Sequence, residues 1–329
     1  MGNRGDKMDK LGADLGFFQS KFTTGDLVET FQSVVGYAAG SMMSVSPSQS
    51  ILFANGVAVG EAALQYAAPA NIVAHSDDDW LNSKEITYLF QAGMASVFPA
   101  NGVLRSIKVV CALPINLYKY SRGLLSEHLS QVHQFSLADG RDYMITAEVR
   151  EIPQAYATLC GLFLNDAGMP VSKMAMEMVG VIDIGGRDLN LLISEGFRDN
   201  KNKSDTYHNG VWTLIDSLRV ALTEEFGRPS LDKYETETAL RSGQFWHGGR
   251  YHTITEMIAV HKAAFVSQIQ AHVAGLWGDD VHRLKKIYIT GGGALLIGEE
   301  LRECYPQSEI IASPVLSNCA GAWKFAQRK

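Results

Sequence analysis

The sequence predicts an α/β protein made of two comparable halves, each a mixed sheet flanked by helices. Three observations carry that expectation. Each half opens on one figure, an apolar run, an Asp-x-Gly turn and a second apolar run, at Asp14-Leu-Gly16 and at Asp183-Ile-Gly-Gly186. After each figure, short apolar runs alternate with amphipathic segments of helical period. Finally, 329 residues, 46% hydrophobic and 19% charged, suit two packed cores of ~150 residues better than one.

In chain order, residues 1–9 are a polar lead-in. Lys10-Leu-Gly-Ala13 enters the first turn and Phe17-Phe-Gln-Ser-Lys21-Phe22 leaves it, which reads as a hairpin. Residues 27–36 read as a strand, and 51–59 as strand structure turning at Asn55-Gly56, a dipeptide suited to a type I′ turn. Residues 60–68 read as a short helix. Residues 83–98 read as a longer one, starting at Ser83 with Glu85 in its first turn and Ile86, Leu89, Phe90, Met94 and Val97 at helical spacing. A buried strand at 107–113 ends at Pro114. A helical segment at 117–129 follows, then strands at 133–137 and 142–150 joined through Asp139-Gly140. Ile152-Pro153-Gln154 leads into a helix at 155–165.

The second half repeats the plan. Residues 179–182 and 189–193 are strands on either side of the Asp183 turn. Residues 201–209 read as a polar loop. A helix at 210–226 stops at Gly227-Arg-Pro229, and a shorter one follows at 230–242. Residues 244–253 carry turn residues, and His247-Gly-Gly-Arg-Tyr-His252 reads as a loop. The longest helix spans 254–277. A strand at 286–290 enters Gly291-Gly-Gly293, and a helix at 317–327 is the last element.

The two turns point to one chemistry. Glycine lets backbone N–H groups approach an anion, and successive N–H groups make a nest for phosphate. An aspartate beside phosphate repels it unless a cation lies between, so the pairing suggests a magnesium-bound phosphate. Asp166-Ala-Gly168, the third Asp-x-Gly in the chain, follows a helical pattern and reads as a helix-ending loop.

Composition excludes other classes. A net charge of −6 and a pI near 5.9 argue against direct nucleic-acid binding. Cys111, Cys160, Cys304 and Cys319 are widely spaced with no C-x-x-C, so buried reduced thiols are expected and neither zinc nor a disulfide framework is. Neither G-x-x-x-x-G-K-[ST] nor G-x-S-x-G occurs, and the histidines lack H-E-x-x-H spacing. With no apolar leader and no run of about 18 apolar residues, a soluble, cytoplasmic protein without membrane contact is expected.

Taken together, Asp14-Leu-Gly16 with Lys21, Phe31-Gln-Ser-Val-Val-Gly36, Gly56-Val-Ala-Val-Gly60-Glu-Ala-Ala63, Leu113-Pro114, Pro153-Gln154, Asp183-Ile-Gly-Gly186 and Gly291-Gly-Gly293 resemble the actin/chaperone/sugar-kinase superfamily, whose fold is ribonuclease H-like. Within it the chain is similar to the prokaryotic actin-like proteins of the ParM/StbA plasmid-segregation type and their archaeal relatives. The resemblance implies an N-terminal lobe at 1–170, a C-terminal lobe at 171–314, a helix at about 315–329 packing back on the first lobe, and a nucleotide cleft between the lobes.

By the same resemblance, Asp14, Leu15, Gly16, Phe17 and Lys21 form the first phosphate loop, with Lys21 as a mobile point charge. Asp183, Gly185, Gly186, Arg187 and Asp188 form the second, and Gly291, Gly292, Gly293 and Ala294 pack against the adenosine of ATP or ADP. Asp14 and Asp183 would hold Mg²⁺ largely through its waters. Gln154 stands where the family orients the attacking water, with Glu148 and Glu151 as secondary candidates. The chain departs where the family often carries Thr and a further Asp, having Asp188 and Asn190, and Phe17-Phe18 leaves only backbone groups for phosphate in the first loop. The implied activity is ATP hydrolysis coupled to head-to-tail filament assembly, for plasmid or DNA segregation or cytoplasmic positioning, with a DNA-bound adaptor as partner. The alternative is a small-molecule kinase of the same superfamily, which needs a further acid as base.

Overall fold

The computed structural model describes residues 8–38, 51–74, 78–100 and 102–328, so most of the polar lead-in lies outside them. These residues divide into two compact units, 1–173 with 316–329, and 174–315.

The first unit begins with strands β1 (Asp9–Leu15), β2 (Gln19–Thr23) and β3 (Val28–Gln32), an antiparallel meander. Next come β4 (Val34–Ala38), β5 (Ile51–Leu52), β6 (Val57–Val59), helix α1 (Glu61–Tyr66) and β7 (Ala67–Ala74). Helix α2 (Lys84–Val97) follows, with the Ser83 side chain accepting from the Ile86 N–H at its N-terminus. Then come β8 (Arg105–Leu113), α3 (Ile115–Tyr120), α4 (Leu124–Leu129), β9 (Val132–Ser136), β10 (Asp142–Pro153) and α5 (Gln154–Phe163). The main sheet runs β3-β2-β1-β8-β10-β9, parallel where β8 lies against β1 and β10, and a smaller antiparallel sheet runs β5-β6-β4-β7.

In the second unit β11 (Met178–Ile184), β12 (Leu189–Glu195), β13 (Arg198–Asp199) and β14 (Asp205–Tyr207) precede α6 (Val211–Phe226) and α7 (Lys233–Ser242). Strands β15 (Gln244–His247) and β16 (Arg250–Thr253) form a hairpin. They are followed by α8 (Thr255–Trp277), β17 (Lys286–Thr290), α9 (Ala294–Cys304) and β18 (Ser308–Ile310). The sheet order is β13-β12-β11-β17-β18, with β14 on β12 and with β11, β17 and β18 parallel. Both units therefore place an antiparallel hairpin beside a parallel strand. The core of this unit gathers Ile182, Leu191, Leu218, Ile269 and Trp277. The chain then returns to the first unit as α10 (Ser317–Ala326), whose Ala322 and Ala326 pack on Val110, Ile152 and Ala157.

Several sequence expectations change. The strand at 27–36 is two strands in different sheets, broken at Ser33, whose N–H bonds the Phe18 carbonyl. The helix at 60–68 stops at Tyr66 because the edge of β4 recruits the next residues as β7. The helical segment at 117–129 is two short helices separated at Gly123, which takes a φ of 97°. The loop at 201–209 contains β14, and the loop at 244–253 is a hairpin turning at Gly248-Gly249, both at positive φ. Cys111, Cys160 and Cys319 are buried free thiols, but Cys304 is exposed. Among the described residues no helix is long and apolar enough to cross a membrane.

Candidate functional site

In the first unit the parallel strands β1 and β10, with β8 between them, end together. The crevice beyond the carboxyl ends of parallel strands is where α/β sheets take ligands. Asp14, 2% exposed, is the penultimate residue of β1, and Gln154 is the first residue of α5, directly after β10. Gln154 Nε2 donates to Asp14 Oδ1 at 2.8 Å. Lys21, paired with Asp14 in the hairpin register, donates from Nζ to Asp14 Oδ2 at 3.0 Å and to the Gln19 carbonyl at 3.1 Å. One carboxylate thus receives an amide and an ammonium, which matches its two oxygens to two donors inside the protein.

The turn that follows is clamped from behind. A side chain at Gly16 would bring its Cβ to 2.9 Å from the Gln19 carbonyl, so the tight turn requires glycine. Ser33 Oγ donates to the Gly16 carbonyl and Ser33 N donates to the Phe18 carbonyl. Since the Ser33 proton goes to Gly16, Ser20 donates to Ser33 Oγ, at 2.8 Å. The C=O and N–H of a trans peptide point opposite ways, so the amides of Phe17 and Gln19 face away from Ser33. Phe17 is buried against Trp80, ring centroids 5.1 Å apart, so its contribution to any ligand is its amide.

The second unit repeats this arrangement with more amides. Asp183, 2% exposed, lies near the end of β11, opposite Asn190 of β12 and beside Thr290 of β17. Asn190 Nδ2 stands 3.5 Å from Asp183 Oδ2, and Thr206 Oγ1 donates to Asn190 Oδ1 at 2.7 Å. The Gly185 amide closes the turn onto the Asp188 carbonyl at 2.8 Å. The carbonyls of Gly185, Gly186 and Arg187 accept from Val211, Trp212 and Gly210 at 3.0, 2.8 and 2.8 Å. These donors lie at the start of α6, whose first N–H groups have no partner within the helix. Three consecutive carbonyls directed at α6 turn the amides of Gly186, Arg187 and Asp188 to the opposite side, the arrangement of an anion nest.

Gly291 follows β17 with φ 81°, and a Cβ there would lie 2.3 Å from the Ile184 carbonyl and 2.6 Å from Asp183 Oδ1. Only glycine satisfies both limits. Gly293 N donates to the Ile184 carbonyl at 2.9 Å, which ties the start of α9 to the end of β11.

Two family models match the chain. A model of the N-terminal domain of actin-like proteins covers residues 12–156, and one of the archaeal MreB-like actin homologue C-terminal domain covers 181–303. The chain is an actin-like protein. Solved structures agree in fold. The archaeal actin homolog Ta0583 superposes with a TM-score of 0.83 at 19% identity, over 98% of this chain and 99% of that one. Ta0583 in complex with ADP gives 0.80 over 98% and 100%. A subunit of a 15-stranded ParM filament from Clostridium botulinum gives 0.81 at 19% identity, over 97% and 99%. No curated protein matches the sequence.

Within this actin-like protein the structure brings Asp14, Lys21 and Gln154 together in one unit, and Asp183, Gly185, Gly291 and Gly293 together in the other. It corrects Glu151, whose carboxylate accepts from the amides of Gly123 and Ser126, both at 2.8 Å, and so caps α4. Glu148 is exposed and paired with Arg150. Asp188 is buried, with its carboxylate on His208 and Arg187. The sequence alone does not point to Ser33 or His208. Ser33 lies in a stretch that stands out only by family resemblance, and His208 carries no signal of its own. Burial, reinforced by the nearby Glu151 and Asp14 carboxylates, pushes the Cys111 thiol well above its usual range. Burial with Asp14 next to it pushes Cys319 up to about 12, so both thiols beside the first turn stay protonated.

Proposed function

We propose that the chain binds and hydrolyses ATP and assembles head to tail into nucleotide-dependent filaments that position DNA, or other cargo, through an adaptor. The observation that carries this reading is the run of carbonyls at Gly185, Gly186 and Arg187 held on α6, which turns the peptide N–H groups of the same turn to the opposite side. The glycines fit the nucleotide that the family implies, because at Gly291 no side chain would be accommodated. The bound group would supply a γ-phosphoryl and a magnesium ion. Among the described residues no cluster of three or more His, Cys, Asp or Glu side chains is placed to hold a metal. Mg²⁺ sheds its waters reluctantly, so Asp14 in the first unit and Asp183 in the second are each proposed to act on it through those waters.

The chain's own residues divide the work. Amides of the Gly16 and Gly185 turns bind phosphate oxygens, Lys21 adds charge, and Gly291, Gly292, Gly293 and Ala294 admit the adenosine. Gln154 gives its amide nitrogen to Asp14, so its amide oxygen is the end suited to accept from a water. A neutral amide positions that water and does not deprotonate it. The small-molecule kinase reading finds no support in the first unit: Glu151 caps a helix, Asp139 pairs with Arg141, and Asp142 accepts from Ser136.

Sedimentation of the purified protein with ATP, with ADP and without nucleotide tests the proposal. Pelleting that requires ATP, with phosphate release in the same sample, supports it. A protein that stays in the supernatant under all conditions and releases no phosphate refutes it.

A further inference from the structure

A single residue, Ser33, separates β3 of the main sheet from β4 of the smaller one. It is 3% exposed, and both of its donors serve the first turn. Its N–H bonds the Phe18 carbonyl at 3.0 Å and its hydroxyl bonds the Gly16 carbonyl. Each carbonyl lies in the plane of the peptide that follows it, so one residue fixes two peptide planes of the turn. The neighbours of Ser33 belong to different sheets. Gln32 pairs with Gln19 of β2, while Val34 pairs with Ala74 of β7 and accepts from the Gly60 amide at 3.0 Å. The turn and the smaller sheet therefore meet at one short joint. A displacement of the Gly16 carbonyl either carries Ser33 with it or breaks a buried hydrogen bond, which is costly. Ser20 stands behind this joint, wholly buried, with its hydroxyl 2.8 Å from Ser33 Oγ. Its removal leaves both Ser33 bonds to the turn in place.

We propose that Ser33 is a positioning residue that couples the first turn to the sheet β5-β6-β4-β7, so that a nucleotide held by the turn steadies that sheet. The inference rests on the reading of this turn as a nucleotide phosphate site. The ligand orders the Gly16 carbonyl, the Ser33 hydroxyl follows it, and β4 begins at the next residue. By linkage the coupling runs both ways, and a turn released from Ser33 has to be ordered by the ligand itself, which lowers affinity. Ser20 and Ser33 each supply one buried hydroxyl to the same chain of bonds, so a purely structural role makes their removal equivalent. Positioning makes it unequal, because the bond from Ser33 alone reaches the turn.

The test is titration of ADP into the full chain and its variants, with amide hydrogen exchange measured without ADP and at a concentration that saturates each protein. In the parent, ADP is expected to slow exchange in β4, β6 and β7 by ~5-fold or more. Ser33→Ala is expected to bind ADP ~5-fold more weakly and, once saturated, to slow that sheet by ~2-fold or less. Ser20→Ala is expected to stay within ~2-fold of the parent in affinity and to keep the slowing. The proposal is overturned if Ser33→Ala keeps either the affinity or the slowing of the parent, or if Ser20→Ala behaves as Ser33→Ala does. A parent protein that binds no ADP defeats the nucleotide reading and the coupling with it. A parent that binds ADP without slowing the smaller sheet defeats the coupling alone.

Discussion

Gln154 and Asp14 are joined by a 2.8 Å hydrogen bond that ties the start of α5 to the end of β1 across the sheet. The Asp14 carboxylate therefore sits between a neutral donor and the Lys21 ammonium, 3.0 Å away on its other oxygen. If Gln154 positions water, Gln154→Ala slows ATP turnover by roughly tenfold to a hundredfold while leaving ADP affinity within ~3-fold, because positioning acts on the reacting water and less on the bound product. Single-turnover phosphate release beside ADP titration checks this. An equal loss in both would assign Gln154 to binding.

Replacing the same amide by an acid gives a pH signature. Gln154→Glu sets a second carboxyl against Asp14, and two carboxylates in contact ionise fully only at a cost. The pair holds a proton more tightly folded than unfolded, so its folded pKa is raised. At low pH the protonated form of the introduced carboxyl donates to Asp14 as the amide does, and that bond is lost as pH rises through the raised value. The melting temperature of Gln154→Glu is expected to lie close to that of the parent at about pH 5 and well below it at about pH 8, where both side chains are ionised in the unfolded chain. A constant difference across that range would show that the two carboxyls do not meet.

A native histidine gives the opposite limb. His133 is 2% exposed, donates from Nε2 to the Leu129 carbonyl at 2.9 Å, and packs its ring 5.3 Å from Phe90. Burial holds its pKa below the ordinary 6.5, against the Leu129 bond, which pulls it up. Above that ordinary value both folded and unfolded chains carry it neutral. As pH falls below it, the unfolded chain protonates first, and stability is lost until the depressed folded pKa is reached. His133→Gln, which keeps a donor for Leu129, is expected to be less stable near neutrality but to lose less stability between about pH 7.5 and 5.5. Urea denaturation at the two pH values checks this. His272, also held low by burial, contributes equally to both proteins and cancels in the comparison.

The two hairpins were legible in the sequence because apolar runs on both sides of a glycine turn leave few alternative pairings, and the registers Asp14 to Lys21 and Asp183 to Asn190 follow from them. Strand β14 was not legible. Its three residues, Asp205–Tyr207, carry no alternation of their own and are a strand only because the edge of β12 accepts them. The split of 27–36 was hidden for a similar reason, since one amide, that of Ser33, bonds the first turn instead of continuing a ladder. In the candidate site the glycines and acids announced themselves by type and spacing. His208 did not, because its place beside Asp188 depends on β14 being a strand. Glu151 misleads in the sequence because nothing local reveals that the N-terminus of α4 needs an acceptor.

The close seat of α10 in the first unit gives the last prediction. Gly321 packs so near α5 that a Cβ would fall 1.6 Å from the Ala157 carbonyl and 2.8 Å from the Gly161 amide nitrogen. Both obstacles are backbone, so neither can rotate away, and the helix must lift from Ala157 and the rest of that cluster to make room. Gly321→Ala is expected to cost about 3 kcal/mol or more, in the upper range for overpacking. Gly275 is the control, an exposed glycine inside α8 whose added Cβ would meet nothing within 4 Å. Gly275→Ala is expected to stabilise by about 0.5–1 kcal/mol, the helix-propensity difference alone. Denaturant unfolding of the two variants should move in opposite directions. A Gly321→Ala protein as stable as its parent would mean that α10 does not lie this close to α5.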